Sequence, residues 1–258
     1  MNAVSQQELA SALAVVDQIE IDEELIRRFN KLGPRYTSYP SADRFEPSFS
    51  AADYIAQLQQ RASNPSKPPL SLYIHIPFCQ SLCYYCACNK VITKHRSKSA
   101  EYLHYLQKEL ALLQPYLQAN SAEKQVATQL HLGGGTPTFL SNDEMAQLMQ
   151  MLRQYVQFTP DAEIGIEIDP RTVTPESLAF YASLGFNRTS LGVQDFDLAV
   201  QQAVHRIQPY EMIETALRAS RENGFRSINF DLIYGLPKQS LASFEATIDQ
   251  VIALAPDR

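Results

Sequence analysis

Residues 71–90 read SLYIHIPFCQSLCYYCACNK: a short alternating stretch that runs straight into a loop carrying every cysteine of the chain. Cys79, Cys83, Cys86 and Cys88 lie within ten residues, so they form a site and not a scatter of small core residues. The first three are spaced C-x3-C-x2-C, which suits a compact loop around one iron–sulfur cube. Such a cube usually takes four thiolates, one per iron. Three leave one iron open for a substrate or cofactor, which points to chemistry more than to electron storage. A disulfide pair is disfavoured, because no secretory signal precedes these clustered thiols. A structural zinc site wants two separated pairs, and no second pair exists; a site completed by His75 or His95 is the remaining zinc alternative. Pro77, Gln80, Ser81 and Asn89 read as loop, which argues against inert core thiols.

Outward from this loop the chain alternates between strand and helix patterns. SLYIHIP, TQLHLGGG (128–135), AEIGIEIDP (162–170), FNRTSLGVQ (186–194) and SINFDLIYG (227–235) read as five strands. Helices are expected over Ser97–Gln114, from about Asn142 to Val156 with Ser141 as N-cap, and from TPES with Thr174 as cap and Pro175 in the first turn. One or two more are expected before Glu222, and another over Leu241–Leu254. Strands each followed by a helix imply a parallel sheet. The strand faces choose between architectures. Ile164, Ile166 and Ile168 oppose Glu163, Gly165, Glu167 and Asp169. Ile228, Phe230 and Leu232 oppose Asn229 and Asp231, while Ile74 and Ile76 oppose Tyr73 and His75. A doubly wound sheet is apolar on both faces. One polar face predicts an α/β fold: a partial (β/α) barrel lined for a polar cofactor.

The expected organisation is an N-terminal helical arm over 1–70 and a partial barrel of five β/α units over 71–258. Within the arm, helical patterns at Ser5–Val16 and Ala51–Arg61 flank GPRYTSYPSADRFEP (33–47), and ASNPSKPP (62–69) reads as a linker. With 258 residues, 45% hydrophobic and 19% charged, the composition is globular. No apolar run approaches the roughly 20 residues of a membrane span, and the acidic N-terminal stretch lacks a basic signal-peptide start. The expectation is a cytoplasmic monomer. A net charge of −6 disfavours a nucleic-acid partner.

Gly133, Gly134 and Gly135 end the second strand, followed by Thr136 and Pro137. They let a backbone approach a ligand and present unshielded N–H groups; a tight strand-to-loop turn is an equal reading. No Gly-Lys-Ser/Thr follows, so this is not a P-loop. Glu167, Gln194, Arg206 and Asp231 sit at later strand ends or just beyond. There a carboxylate can bind ribose hydroxyls or an amino group, and an arginine a carboxylate.

Taken together, HIPFCxxxCxxC after a strand and the GGGTP strand end resemble the radical S-adenosylmethionine (SAM) superfamily. Within it the chain is similar to the oxygen-independent coproporphyrinogen III oxidase family. That resemblance runs from about Asn30 to Arg258 and rests on RYTSYP, YIHIPFCxxxCYYCxCNK, LHLGGGTPT, IEIDPR, GFNRTSLGVQDF and INFDLIYGLPKQ. It implies an oxidoreductase of anaerobic haem biosynthesis. Two propionates of coproporphyrinogen III become vinyls, giving protoporphyrinogen IX, by hydrogen abstraction and loss of carbon dioxide and an electron. It implies a 4Fe–4S cluster on Cys79, Cys83 and Cys86, two SAM molecules, and a low-potential electron donor. Tyr73, Gly134 and Glu167 match contacts to the cluster-bound SAM; Tyr85, Gly135, Thr136, Gln194, Arg206 and Asp231 match contacts to the second.

His75 is a candidate for proton handling or SAM positioning, with a structural histidine as the alternative. Cys88 is expected to be a non-ligand serving catalysis or cluster assembly, with a free thiol as the alternative. Arg35 is a candidate cation for the anionic substrate. A haem-chaperone relative shares the cluster loop and GGGTP region but usually lacks the RYTSYP arm and has an aromatic residue where Cys88 stands. A plain electron carrier fails on the missing fourth thiolate. Family members continue past ALAPDR into a sixth strand and a helical domain, so the sequence is expected to be a fragment or weakly active.

Overall fold

The computed structural model describes residues 22–30, 41–64, 66–117 and 124–258. The helix expected at Ser5–Val16, the RYTSYP segment and Arg35 lie outside them. The chain divides into two compact units, 1–56 and 57–258. In the first, α1 (Glu23–Phe29) begins where Asp22 Oδ1 accepts the N–H groups of Glu24 and Leu25 at 2.9 and 3.0 Å. The helix α2 (Ala51–Ser63) crosses the division and runs two residues past the expected Arg61.

The second unit is built on five parallel strands: β1 (Leu70–Ile76), β4 (Gln125–Gly134), β5 (Val156–Ile168), β6 (Arg188–Gln194) and β7 (Ser227–Leu232). They pair in the order β1-β4-β5-β6-β7. The connections carry α3 (Ser97–Leu117), α4 (Asn142–Tyr155), α5 (Pro175–Ser183), α6 (Leu198–Ala203) and α7 (Tyr210–Glu222), with α8 (Leu241–Leu254) after β7. The expected caps form. Ser141 and Glu144 make a reciprocal capping box on α4, and Thr174 and Ser177 one on α5 with Pro175 in the first turn.

Each strand buries at least one fully excluded aliphatic side chain: Ile76, Leu132, Ile166, Leu191 and Ile228 are all 0% exposed. Burying such a side chain contributes roughly 1.5–3 kcal/mol. A one-residue slip of the register would expose all five at a cost on the order of 10 kcal/mol, comparable with the whole stability of a domain. That fixes the opposite face as well. Tyr73, His131, Gly165, Arg188 and Ser227 form one row across all five strands, and Glu167, Ser190 and Asn229 lie in the next.

Two features differ from the expectation. Strand β5 starts at Val156, directly after α4, and not near Ala162. Its first residues pair with Gln125–Ala127, and the register then jumps from Ala127↔Phe158 to Gln129↔Glu163. Pro160 lies in the jump and has no N–H for the ladder. A second, two-stranded sheet, β2 (Phe78–Cys79) with β3 (Val91–Ile92), closes the cysteine loop at its base.

Beyond β6, the buried Asp195 ties three segments together. Its carboxylate accepts from the Asp197 N–H (2.6 Å), Gln239 Nε2 (2.6 Å) and Thr247 Oγ1 (3.0 Å). Asp195→Ala strands these donors. Unfolding in urea should show a loss of about 3 kcal/mol, against a few tenths for Glu222→Ala on the exposed end of α7.

Candidate functional site

Folding gathers the predicted site at the C-terminal ends of the strands, where parallel α/β sheets place their ligands. Cys79, Cys83, Cys86 and Cys88 line one cavity of about 240 Å³ together with Tyr85, Gly134, Gly135, Thr136, Glu167, Gln194, Arg206 and Asp231. Tyr73 stands on the same polar face, one row below Glu167. A second cavity, about 440 Å³, lies lower on that face beside His131, Arg188 and Asn229; none of the sulfurs reaches it.

The cysteine loop is held along its length. At the base, Val91 N–H donates to Pro77 O (2.7 Å) and Thr93 N–H to Cys79 O (2.9 Å). In the middle, Lys90 Nζ donates to Cys86 O (2.9 Å) and Cys88 O (3.3 Å). His75 Nε2 lies 2.8 Å from Asn89 O. A carbonyl only accepts, so Nε2 carries the hydrogen and Nδ1 accepts from the Tyr73 hydroxyl at 3.1 Å. Both nitrogens of His75 are thus engaged by the protein.

The glycine run works differently from the expectation of free N–H groups. Gly134 N–H donates to Glu167 Oε2 (3.1 Å), Gly135 N–H to Ile76 O (2.8 Å) and Thr136 N–H to Phe78 O (2.9 Å). The Glu167 side chain, the end of β1 and the base of the cysteine loop each absorb one of these donors. What requires glycine is crowding. Gly134 has φ +116°, and a Cβ there would meet the His75 ring at 2.7 Å; one on Gly135 would lie 2.7 Å from Pro77 O.

Charge is concentrated at Cys83. The Asp169 carboxylate is paired with Arg171 (2.7 Å) and Arg206 (3.2 Å). These guanidinium groups also approach Cys83 Sγ, at 3.6 Å from Arg171 and 3.5 Å from Arg206. Two guanidinium groups and one carboxylate therefore leave a net positive charge beside this sulfur. Burial pushes the Cys79 thiol up, and the 3.3 Å contact with Thr136 Oγ1 offsets this only in part. Burial likewise raises Tyr85. It also opposes ionisation of Asp169, but the hydrogen bonds and charge of Arg171, with Arg206, hold that carboxyl below the usual carboxylate range. Arg206 Nε is buried and has no hydrogen-bond partner among the described residues. Gln194 holds a positive φ of 68° at the end of β6, the kind of backbone strain that gathers at binding sites. Asp231 accepts from Ser190 Oγ (2.6 Å) and Asn229 Nδ2 (2.7 Å).

The radical SAM superfamily matches residues 73–251. This chain belongs to the radical SAM superfamily. It is 50% identical over 246 residues to the oxygen-independent coproporphyrinogen III oxidase of Pseudomonas aeruginosa, covering 95% of this chain and 52% of that protein. To the protein of the same name from Escherichia coli it is 47% identical over 243 residues, covering 94% and 51%. The solved structure of Escherichia coli coproporphyrinogen III oxidase, described as a radical SAM enzyme, matches with a TM-score of 0.82 and 43% identity, covering 93% of this chain and 52% of that one. The chain spans about half the length of the relatives it matches. Among the described residues, no helix is long and apolar enough to cross a membrane.

Radical SAM membership implies a 4Fe–4S cluster and SAM, and the residues fit them. Four cysteines line one cavity, Cys83 buried and Cys79 and Cys86 half-buried, and as thiolates they would be balanced by the positive charge that iron supplies. Among the described residues no three ligand-type side chains converge on a single metal ion. A cube has no such point, since each thiolate takes a different iron. His131 was not singled out from the sequence. Its Nε2 lies 3.2 Å from Glu167 Oε1, and its ring stacks on Tyr73 at 6.0 Å. The signal was its phase: Gln129, His131 and Gly133 alternate with the buried Leu130 and Leu132. Asp169 is read from the sequence only as part of the polar strand face, and neither its pairing nor its partner Arg171 is singled out there.

Asp169 titrates low in the folded chain, so its contribution is present above pH about 4 and is lost as pH falls below that. Asp169→Asn should destabilise the cluster-free chain by about 3 kcal/mol at pH 7, leaving the buried Arg206 and the half-buried Arg171 without their carboxylate. In urea titrations at several pH values, the gap between native and variant should narrow as pH falls through and then below the ordinary carboxylate range.

Proposed function

We propose that this chain carries the radical chemistry of an oxygen-independent coproporphyrinogen III oxidase, oxidatively decarboxylating two propionates of coproporphyrinogen III. The observation that carries the reading is the cavity that all four cysteines line together with Gly134, Glu167 and Arg206. The half-length identity of about 50% to proteins of that name supports it.

In this reading Cys79, Cys83 and Cys86 hold the cluster and leave one iron open. When bound, the cluster and SAM supply the one-electron cleavage that starts hydrogen abstraction from a substrate propionate. The protein's part is to bind, orient and shield. Glu167, steadied by Gly134 N–H and His131, offers acceptor oxygens to the SAM on the open iron, beside Tyr73 and Gly134. Hydrogen bonds from Arg171 and Arg206 toward Cys83 bear on the cluster's potential. Tyr73 Oη and His75 Nδ1 are within proton-transfer distance, which is the role we assign to His75. Cys88 is exposed and stays a non-ligand near the cluster.

A second SAM is assigned to Tyr85, Gly135, Thr136, Gln194, Arg206 and Asp231. That all six line the same cavity supports this. At about 240 Å³ the cavity is below the usual 300–1,000 Å³ of small-molecule sites, so two molecules extend beyond it. A low-potential donor supplies the electron.

Anaerobic reconstitution tests the assignment. Cys79→Ala, Cys83→Ala and Cys86→Ala should each lose most of the bound iron and all 5′-deoxyadenosine formation with dithionite and SAM, while Cys88→Ala keeps its iron. Iron loss in Cys88→Ala equal to the others would contradict the division of roles. Equilibrium dialysis of the reconstituted chain should find two SAM per cluster; one would remove the second site.

A further inference from the structure

His205 stands outside every role assigned so far, yet its backbone is strained and its side chain is committed. It has φ +57°, a left-handed conformation uncommon for a residue with a Cβ. The turn follows α6, where Val204 N–H closes on Val200 O (3.0 Å) and Arg206 N–H on Gln201 O (2.8 Å). It sends three consecutive residues to the tip of the cysteine loop. Val204 O accepts the Tyr84 N–H at 3.0 Å. His205 Nδ1 lies 2.9 Å from Leu82 O and 3.4 Å from Ser81 Oγ. Arg206 Nη1 reaches Cys83 Sγ at 3.5 Å. The His205 ring also stacks on Tyr84, centroids 5.3 Å apart and planes 21° from parallel. Leu82 O can only accept, so Nδ1 carries the hydrogen.

We propose that His205 is a positioning residue for the iron–sulfur cluster, gripping Leu82 and Tyr84 on either side of Cys83. The proposal rests on the cluster reading of the three cysteines. The base of the loop is fixed by the β2–β3 pairing and its middle by Lys90 and His75. Between Cys79 and Cys86 the tip has its own turn bond, Cys86 N–H to Cys83 O (3.0 Å), and the grip of residues 204–206. The left-handed turn at His205 sets Val204 and Arg206 at the angles their contacts need, and the ring adds a donor and a stacking surface. His205 is exposed, so water competes for its bond and global stability depends on it little. The effect falls on how well the loop holds its cluster.

Three substitutions separate backbone from side chain. Asn tolerates the left-handed conformation and keeps an N–H donor; Gly tolerates it and keeps neither donor nor ring; Ala supplies neither the conformation nor the donor. The full chain is reconstituted anaerobically, and iron release to a chelator is followed alongside the EPR spectrum of the reduced cluster. Neighbours that orient metal ligands typically change affinity 10–100-fold when removed. H205G and H205A should release iron about tenfold faster than the native chain with altered g-values, and H205N should stay within about twofold. Melting temperatures of the cluster-free variants should match. H205G indistinguishable from native would show that only the turn matters and would overturn the proposal. Equal loss in H205N and H205A would overturn it too. A native chain that takes up no iron would overturn the cluster reading itself and this proposal with it.

Discussion

Side chains on a β-strand alternate between two faces, and in this sheet that alternation carries both the stability and the chemistry. One phase of each strand buries an aliphatic residue completely; the other sets tyrosine, histidine, glutamate, arginine and asparagine in rows across the sheet. Because the apolar phase fixes the register, the polar groups are brought to one face by the packing behind them and then bond to one another. His131 meets Glu167, and Glu167 meets Gly134, as a consequence of core packing on the far side. A rigid scaffold under a mobile chemistry is what a reactive cofactor requires.

The cysteine loop converts that scaffold into a site. Ten residues holding four sulfurs have no core of their own, so their shape is borrowed from the surroundings. The β2–β3 pairing, Lys90, His75 and the 204–206 turn each take one part of the loop. The electrostatics follow the same plan. Asp169 alone would repel a thiolate cluster; with Arg171 and Arg206 on either side it fixes two cations that face Cys83. Proteins tune iron–sulfur centres through such hydrogen bonds and burial.

Much of this was legible in residue order. The five strands, the Ser141 and Thr174 caps and the span of α8 follow from period, capping residues and Pro placement, which are local properties. Strand phase also separated Glu163, Glu167 and Asp169 from the isoleucines. What residue order hid is what depends on partners far along the chain. The early start of β5 needs Gln125–Ala127 beside it, and nothing local distinguishes VQF from a helix end. The glycine run was readable as a place of close approach, but its neighbours, His75 and Pro77, are set by the loop's path. The Asp169–Arg206 pair joins residues 37 apart in sequence, and the His205 grip joins residues 123 apart. Neither leaves a periodic trace.

The account stands on three thiolates leaving one iron free for SAM. EPR of the reconstituted, dithionite-reduced chain, recorded with and without SAM, tests this most directly. The account predicts one 4Fe–4S signal whose g-values move when SAM is added, in the native chain and in Cys88→Ala alike. A signal unchanged by SAM, or one that moves only after Cys88 is removed, would contradict it by showing that the fourth iron is already closed.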